Sequence, residues 1–202
     1  MKVLIACEES QAITIAMRKL WIEAYSCDIQ ECSWWHPEWH IQWDAVSEAY
    51  SGKYDMMIAH PPCTYLSNAW ARFLFAWWKL NEERYKQWLQ AKEFFMKLMN
   101  APIGMIAIEN PIQSKVFWIR KYDQTIQPYH FWDPYQKKTC LWLKNLPPLV
   151  PTDILEKPPS TKVPWNWFNK WWKDRAKNRS KTFQWIANAI AQQWWMLLKD
   201  SK

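Results

Sequence analysis

The chain has 202 residues, 50% of them hydrophobic and 22% charged, which fits one folded domain with its own core and excludes a disordered chain. No apolar run approaches the ~18 residues of a membrane span, the apolar start Met1–Cys7 turns acidic at Glu8-Glu9 where a signal peptide would stay apolar, and five cysteines without paired spacing argue against a disulfide framework. A cytoplasmic protein with no membrane partner is expected, and a net charge of +7 favours a polyanion, nucleic acid first, as partner.

In chain order, Lys2–Cys7 reads as a buried strand, and Ile13, Ala16, Met17 and Leu20 fall at helical spacing over Ser10–Leu20. Glu23–Cys27 is a second strand ending at Asp28, His40–Gln42 a short third ending near Asp44, and Tyr54–Ala59 an apolar fourth closed by His60-Pro61-Pro62-Cys63. Asn81–Met99 is the clearest helix, with Asn81 as cap and Glu82 and Glu83 in its first turn. Met105–Ile108 is a fifth strand closed by Glu109-Asn110-Pro111, and Thr139–Leu143 a later one. Residues 145–179 are a Pro-rich, then basic, extended connection, and 180–199 a C-terminal helix. Strands alternating with helices predict a single α/β domain over 1–202, built on a mostly parallel sheet with flanking helices.

The composition holds one anomaly: 19 Trp and 2 Gly, where average usage would give about 7% Gly. Several tryptophans stand where glycine is expected. Trp21 follows a helix end, Trp34-Trp35 precede His36-Pro37, Trp132 precedes Asp133-Pro134, and Trp171-Trp172 lie in a Lys/Arg-rich loop. The expectation is that many of these replace glycines of the natural protein, through a recoded UGA codon or through substitution. Trp39, Trp142 and Trp194, in apolar or periodic contexts, read as ordinary tryptophans. An aromatic platform for bases is the competing explanation.

Open α/β sheets hold their ligands outside the carboxyl ends of the strands. Here those ends carry Cys7-Glu8-Glu9, Asp28, Asp44, Cys63 and Glu109-Asn110. An acid after the second strand is the usual grip on a ribose diol, and there is neither a Gly-rich phosphate loop nor a P-loop. That combination favours a cofactor with a ribose and no pyrophosphate, such as cationic S-adenosylmethionine. Cys27, Cys32, His36 and His40 match no zinc spacing, so no metal is expected.

Ala59-His60-Pro61-Pro62-Cys63 and Ile108-Glu109-Asn110-Pro111 resemble the Pro-Cys loop and the Glu-Asn motif of cytosine-5 DNA methyltransferases, and nearly the whole chain resembles their compact, phage-type members. The resemblance implies a Rossmann-like methyltransferase fold, transfer of a methyl group from S-adenosylmethionine to carbon 5 of cytosine in DNA, and the cytoplasm of a bacterial host. It implies Cys63 as nucleophile, Glu109 as its electrostatic partner and Asn110 shaping that turn. Glu8, Glu9, Asp28, Asp44, Pro62 and Asn188 would surround the cofactor, Asn188 within the Ala187-Asn188-Ala189 segment. Lys137, Lys138, Lys173, Arg175, Lys177 and Arg179 are the candidate DNA contacts. Two departures stand out: Glu8-Glu9 replace a Gly-rich first loop, and no separate target-recognition domain is expected. Trp43 and Trp70 are expected to crowd the pocket, and Trp185 stands where the compact group would have glycine. The alternatives are an amino-methyltransferase acting on DNA bases, from whose motif His60 and Cys63 both depart, and a DNA-binding module that keeps the fold without catalysis.

Overall fold

The apolar run after Met1 forms the central strand of a sheet in a computed structural model that describes residues 1–33, 36–67, 71–76, 78–114, 119–158 and 181–200. In chain order the elements are β1 (Lys2–Ala6), α1 (Ala12–Arg18), β2 (Glu23–Asp28), β3 (His40–Gln42), α2 (Ala45–Ala49), β4 (Met56–Ala59), β5 (Phe75–Ala76) and β6 (Lys79–Leu80). They continue with α3 (Glu82–Met99), β7 (Met105–Pro111), β8 (Gln124–Ile126), β9 (Thr139–Lys144) and α4 (Gln184–Asp200). Seven strands share one sheet in the order β3-β2-β1-β4-β7-β9-β8, while β5 and β6 pair as a separate hairpin. The strands from β3 to β7 are mutually parallel, and β9 runs antiparallel to both of its neighbours. The Rossmann-like, mostly parallel sheet expected from the sequence is the observed architecture.

Both faces of this sheet are covered, so its strands are apolar on both sides. The period-2 alternation of β1 sends Val3 and Ile5 towards α1 and α4, where Ile13, Met17, Ile190 and Trp194 receive them. Leu4 and Ala6 point the other way, into a cluster with Ala45 and Ala49 of α2 and Phe95 and Leu98 of α3. Fully burying one such aliphatic side chain contributes about 1.5–3 kcal/mol. Among the described residues no helix is long and apolar enough to cross a membrane.

Asn81 caps α3 as expected, its Oδ1 accepting from the Arg84 N–H at 3.1 Å. Other boundaries differ for identifiable reasons. Helix α1 starts only at Ala12, because Gln11 has a left-handed backbone (φ 52°). Strand β7 runs on to Pro111, because β9 pairs with it as far as Pro111 opposite Thr139. Helix α4 starts at Gln184, not at residue 180. The short α2, β5, β6 and β8 carry too little periodicity to be read from sequence. Residues 145–158 contain no helix or strand, and the basic part of that connection, with Trp171 and Trp172, lies outside the described residues, as do Trp34, Trp35 and Trp70.

The tryptophans separate by backbone conformation. Trp21 has φ 61° and is 95% exposed, Trp78 φ 64° and 98%, Trp132 φ 71° and 53%. A bulky residue in this region is a genuine outlier, and the left-handed conformation costs an L-residue about 1–2 kcal/mol. Trp21 occupies the glycine position of a Schellman motif: its N–H donates to the Arg18 carbonyl at 3.0 Å, and that of Ile22 to the Met17 carbonyl at 3.2 Å. Trp78 is in the two-residue turn between β5 and β6, where positive φ favours glycine or asparagine. Trp142 and Trp194 are the opposite case. Both are almost fully buried, with indole N–H groups donating to the Arg120 carbonyl at 2.7 Å and the Pro147 carbonyl at 3.1 Å.

Trp21→Gly, Trp78→Gly and Trp132→Gly should therefore each stabilise the fold by about 0.5–1 kcal/mol, roughly additively, raising the melting temperature by a few degrees in the triple variant. Trp194→Gly should cost more than about 3 kcal/mol. Thermal and urea unfolding of the four single variants and the triple check this, and a triple variant no more stable than the parent rules it out.

Candidate active site

The strand order reverses between β1 and β4, so the ligand crevice of this sheet opens at their carboxyl ends. One wall comes from the ends of β1, β2 and β3, the other from the ends of β4 and β7. The His60 N–H donates to the Ala6 carbonyl at 2.9 Å, joining the two walls at the base of the crevice.

On the β4–β7 side the parallel register pairs Ala59 with Ile108, so His60, just past the end of β4, lies beside Glu109, which is still within β7. His60 Nδ1 lies 2.7 Å from Glu109 Oε2, and the two side chains are only 9% and 17% exposed. Asn110, on the opposite face, donates from Nδ2 to the Pro61 carbonyl at 2.8 Å. Further out, Ser67 bridges Gln113, and the Ser114 N–H donates to the Leu66 carbonyl at 3.3 Å. The Pro-Cys loop is thus fastened along the Glu-Asn segment at three points, the Ser114–Leu66 bond being part of the Ser67–Gln113 bridge. Cys63 sits on that loop with an exposed side chain, and its carbonyl accepts from the Leu66 N–H at 3.1 Å.

Glu109 faces a narrow cleft beneath α4, lined by His60, Lys137, Thr139, Phe183 and Ile186. Burial pushes its carboxyl up, but the hydrogen bond to His60, the charge of Lys137, the charge available to His60 and the Thr139 hydroxyl outweigh burial and hold it below the ordinary Glu value. Glu109 is therefore ionised at neutral pH and acts as a hydrogen-bond acceptor.

The other wall is acidic. Burial, reinforced by the negative charge of Glu9, raises the Asp28 carboxyl above the usual Asp value, although the Gln30 N–H donates to it at 2.9 Å. Among the described residues no lysine or arginine pairs with Asp28. Glu9 is nearly buried and accepts from the Ser33 hydroxyl. Asp44 is exposed and caps α2, accepting from the Ser47 N–H at 2.7 Å, which lowers its carboxyl. The Glu8 carboxylate is engaged by the start of α1: it accepts from the Ile13 N–H at 2.7 Å, the Thr14 N–H at 3.3 Å and the Thr14 hydroxyl at 2.7 Å, and so caps that helix. Carboxylates gathered at one wall, Glu9 nearly buried and Asp28 half-buried, suit a cationic ligand and the hydroxyl donors of a ribose, a donor set that fits S-adenosylmethionine. Trp43, at the end of β3, has its N–H on the Asp28 carbonyl at 3.1 Å and its side chain mostly in solvent.

The remaining sequence candidates are dispersed. Pro62 lies on the Cys63 loop. Asn188 is half-buried on α4 and accepts from Gln184 at 3.0 Å. Lys137 is not a surface residue: its Nζ reaches the Lys181 carbonyl at 3.4 Å, next to the Glu109 cleft. Lys138 is exposed. Lys173, Arg175, Lys177 and Arg179 lie outside the described residues. Sequence reasoning missed His60 as the partner of Glu109, together with the inward turn of Lys137 and Thr139. The signal for His60 was present: His60 and Glu109 each follow the last alternating residue of adjacent parallel strands.

No protein-family model matches the chain, and no curated protein matches it. Among solved structures it is similar to a proposed DNA modification methyltransferase encoded within an E. coli prophage, at 13% identity and a TM-score of 0.43, over 71% of this chain and 46% of that one. The chain thus spans less than half of that protein, and an overlap of this extent defines neither a shared family nor a shared activity.

The depressed Glu109 carboxyl has a pH signature. A carboxyl whose folded value lies below its unfolded value, about 4.3 for Glu, contributes stability above the unfolded value and loses it as pH falls through the folded one. Urea unfolding between pH 7 and 3 should show wild-type stability falling below about pH 5, and Glu109→Gln falling less steeply over the same window. Parallel profiles would exclude a depressed Glu109.

Proposed function

We propose that the protein is an S-adenosylmethionine-dependent DNA methyltransferase that acts on carbon 5 of cytosine through a covalent adduct with Cys63. The observation that carries this reading is the fastening of an exposed cysteine loop to a buried, ionised glutamate across the mouth of an acidic crevice. Carbon 5 of cytosine is too weak a nucleophile to take a methyl group unaided. Addition of the Cys63 thiolate to carbon 6 forms an S–C bond and moves the C5–C6 π pair onto carbon 5. Glu109, beside the ring, would accept from the exocyclic amino group and so orient the ring for the addition. S-adenosylmethionine, when bound beside Asp28 and Glu9, would supply the electrophilic methyl group that carbon 5 takes up, with the neutral thioether as leaving group. Loss of the carbon 5 proton to a base then restores the C5–C6 double bond and expels the thiolate, so the enzyme returns unchanged.

Pro61 and Pro62 limit the freedom of the loop before reaction, and Asn110 fixes the Pro61 carbonyl. Asp28 and Glu9 would hold the ribose and the cationic end of the cofactor, and Asp44 the adenine end. A base in duplex DNA must leave the stack to meet Cys63. The hairpin that follows the Pro-Cys loop presents exposed Phe73 and Phe75 with exposed Arg72 and Lys79, a mixture of ring faces and positive charge suited to a displaced strand. Lys138 and the basic 173–179 segment would add phosphate contacts.

Incubation with labelled methyl donor and DNA, followed by nucleoside mass spectrometry, should yield 5-methylcytosine. A 5-fluorocytosine oligonucleotide should trap a covalent adduct. Cys63→Ala should abolish both while cofactor binding by calorimetry persists. A methylated exocyclic amine, or full transfer by Cys63→Ala, would overturn the thiol mechanism; DNA binding with no cofactor binding in the parent would overturn the enzyme reading.

A further inference from the structure

We propose that His60 is a positioning residue for this reaction: its hydrogen bond to Glu109 fixes the orientation in which that carboxylate meets the substrate base. The inference rests on the reading above and gives a role to a residue that the resemblance left without one.

The geometry leaves little freedom. An ionised carboxylate only accepts, so the 2.7 Å contact places a ring proton on His60 Nδ1, directed at Glu109 Oε2. The ring cannot drift, because the His60 N–H is tied to the Ala6 carbonyl and the following residue is Pro61, whose carbonyl is held by Asn110. The other ring nitrogen, Nε2, is buried and has no hydrogen-bond partner among the described residues. A histidine kept only for packing would not need a polar atom there, and an aliphatic side chain would fill the same space without it. The charged groups around the pair are few. Glu8, just past the end of β1, lies near enough for His60 to act on its carboxyl. Lys137 and the uncharged Thr139 approach Glu109 from the β9 side, and the other flank is Thr182 and Phe183, just before α4, with Ile186 of α4, none of which titrates.

Removing the donor should have two linked effects. Glu109 gains rotational freedom, so fewer encounters place it correctly against the ring. It also loses a group that favours its ionised form, so it ionises at higher pH. The two replacements to compare are His60→Leu, which keeps bulk and removes the donor, and His60→Asn, whose side-chain amide can donate from about the Nδ1 position without titrating.

The first measurement is the titration of the Glu109 carboxyl by carbon-13 NMR, assigned with Glu109→Gln and independent of any methyl transfer. His60→Leu should move the midpoint up by about one pH unit, and His60→Asn should return it most of the way. The second is the rate of adduct formation with the 5-fluorocytosine oligonucleotide against pH. His60→Leu should lower the maximal rate about 10–100-fold, with KM for the oligonucleotide changed less than about threefold. Its acid limb should shift upwards, and His60→Asn should recover most of both. Thermal melts confirm that the variants are folded. An unmoved Glu109 titration in His60→Leu, or equal losses in the two variants, overturns the role of His60 and leaves the cysteine chemistry intact. A parent protein that forms no adduct while its Glu109 titration responds to His60 overturns the cytosine reading, and with it the catalytic purpose of the contact.

Discussion

The parallel register between β4 and β7 is the constraint on which the site depends. It aligns Ala59 with Ile108 and so delivers His60 beside Glu109, and Pro61 beside Asn110, where β4 ends while β7 runs on against β9. Side chains alternate along both strands. His60 and Glu109 therefore share the face covered by α1 and α4, while Asn110 looks to the face covered by α3 and closes on Pro61. A slip of one residue would send Glu109 to the wrong face and separate it from His60. The buried runs Met56–Ala59 and Met105–Ile108 hold that register through the core, so the accuracy of the site derives from apolar packing several residues away.

Across the crevice, the ends of β1 and β2 perform a different task. The turn after β1 has left-handed residues at Cys7 and Gln11, where a glycine-rich loop would adopt the same path at lower cost. Glu8 compensates by capping α1 with three hydrogen bonds, which fixes the start of that helix although Gln11 offers it no side-chain cap. The two glutamates of this turn therefore differ in role despite being adjacent. Glu8 stabilises the fold, and Glu9, with Asp28, keeps negative charge at the crevice. The carboxylate-rich wall is thereby separated from the cysteine-bearing wall across a single opening, the arrangement that the proposed reaction would use.

Much of this was legible in the sequence. Buried parallel strands are continuous apolar runs, so β1, β2, β4 and β7 announce themselves, and the Asn81 cap with its two following glutamates marks the start of α3. Cys63 and Glu109 are visible because reactive residues sit directly after apolar runs. What was not legible depends on partners distant in the chain. Strand β8 has three residues and exists through pairing with β9. The inward turn of Lys137 follows from the packing of α4 against the sheet, which brings the Lys181 carbonyl within its reach. The capping role of Glu8 required knowing that the chain turns back over it to begin α1. His60 was the recoverable omission, since strand alternation alone predicts its side once β4 and β7 are taken as neighbours.

The tryptophan surplus is explained by the same reasoning applied to single residues. A tryptophan retained for its own properties buries its ring and satisfies its indole N–H, as Trp142 and Trp194 do against the Arg120 and Pro147 carbonyls. A tryptophan standing at a glycine position inherits the backbone that glycine made possible and has nowhere to put its ring. Trp21 and Trp78 show this combination in full: left-handed backbone, turn geometry and nearly complete exposure. Trp132 shares the backbone, and its N–H is still engaged by the Asp153 carbonyl at 2.9 Å, so the hydrogen bonding of the turn survives the change of side chain. Because the large rings point to solvent, the core and the Cys63–Glu109 arrangement do not need to repack around them. At these three turns the backbone is one that glycine adopts at lower cost, so Trp21, Trp78 and Trp132 need no aromatic function to account for them.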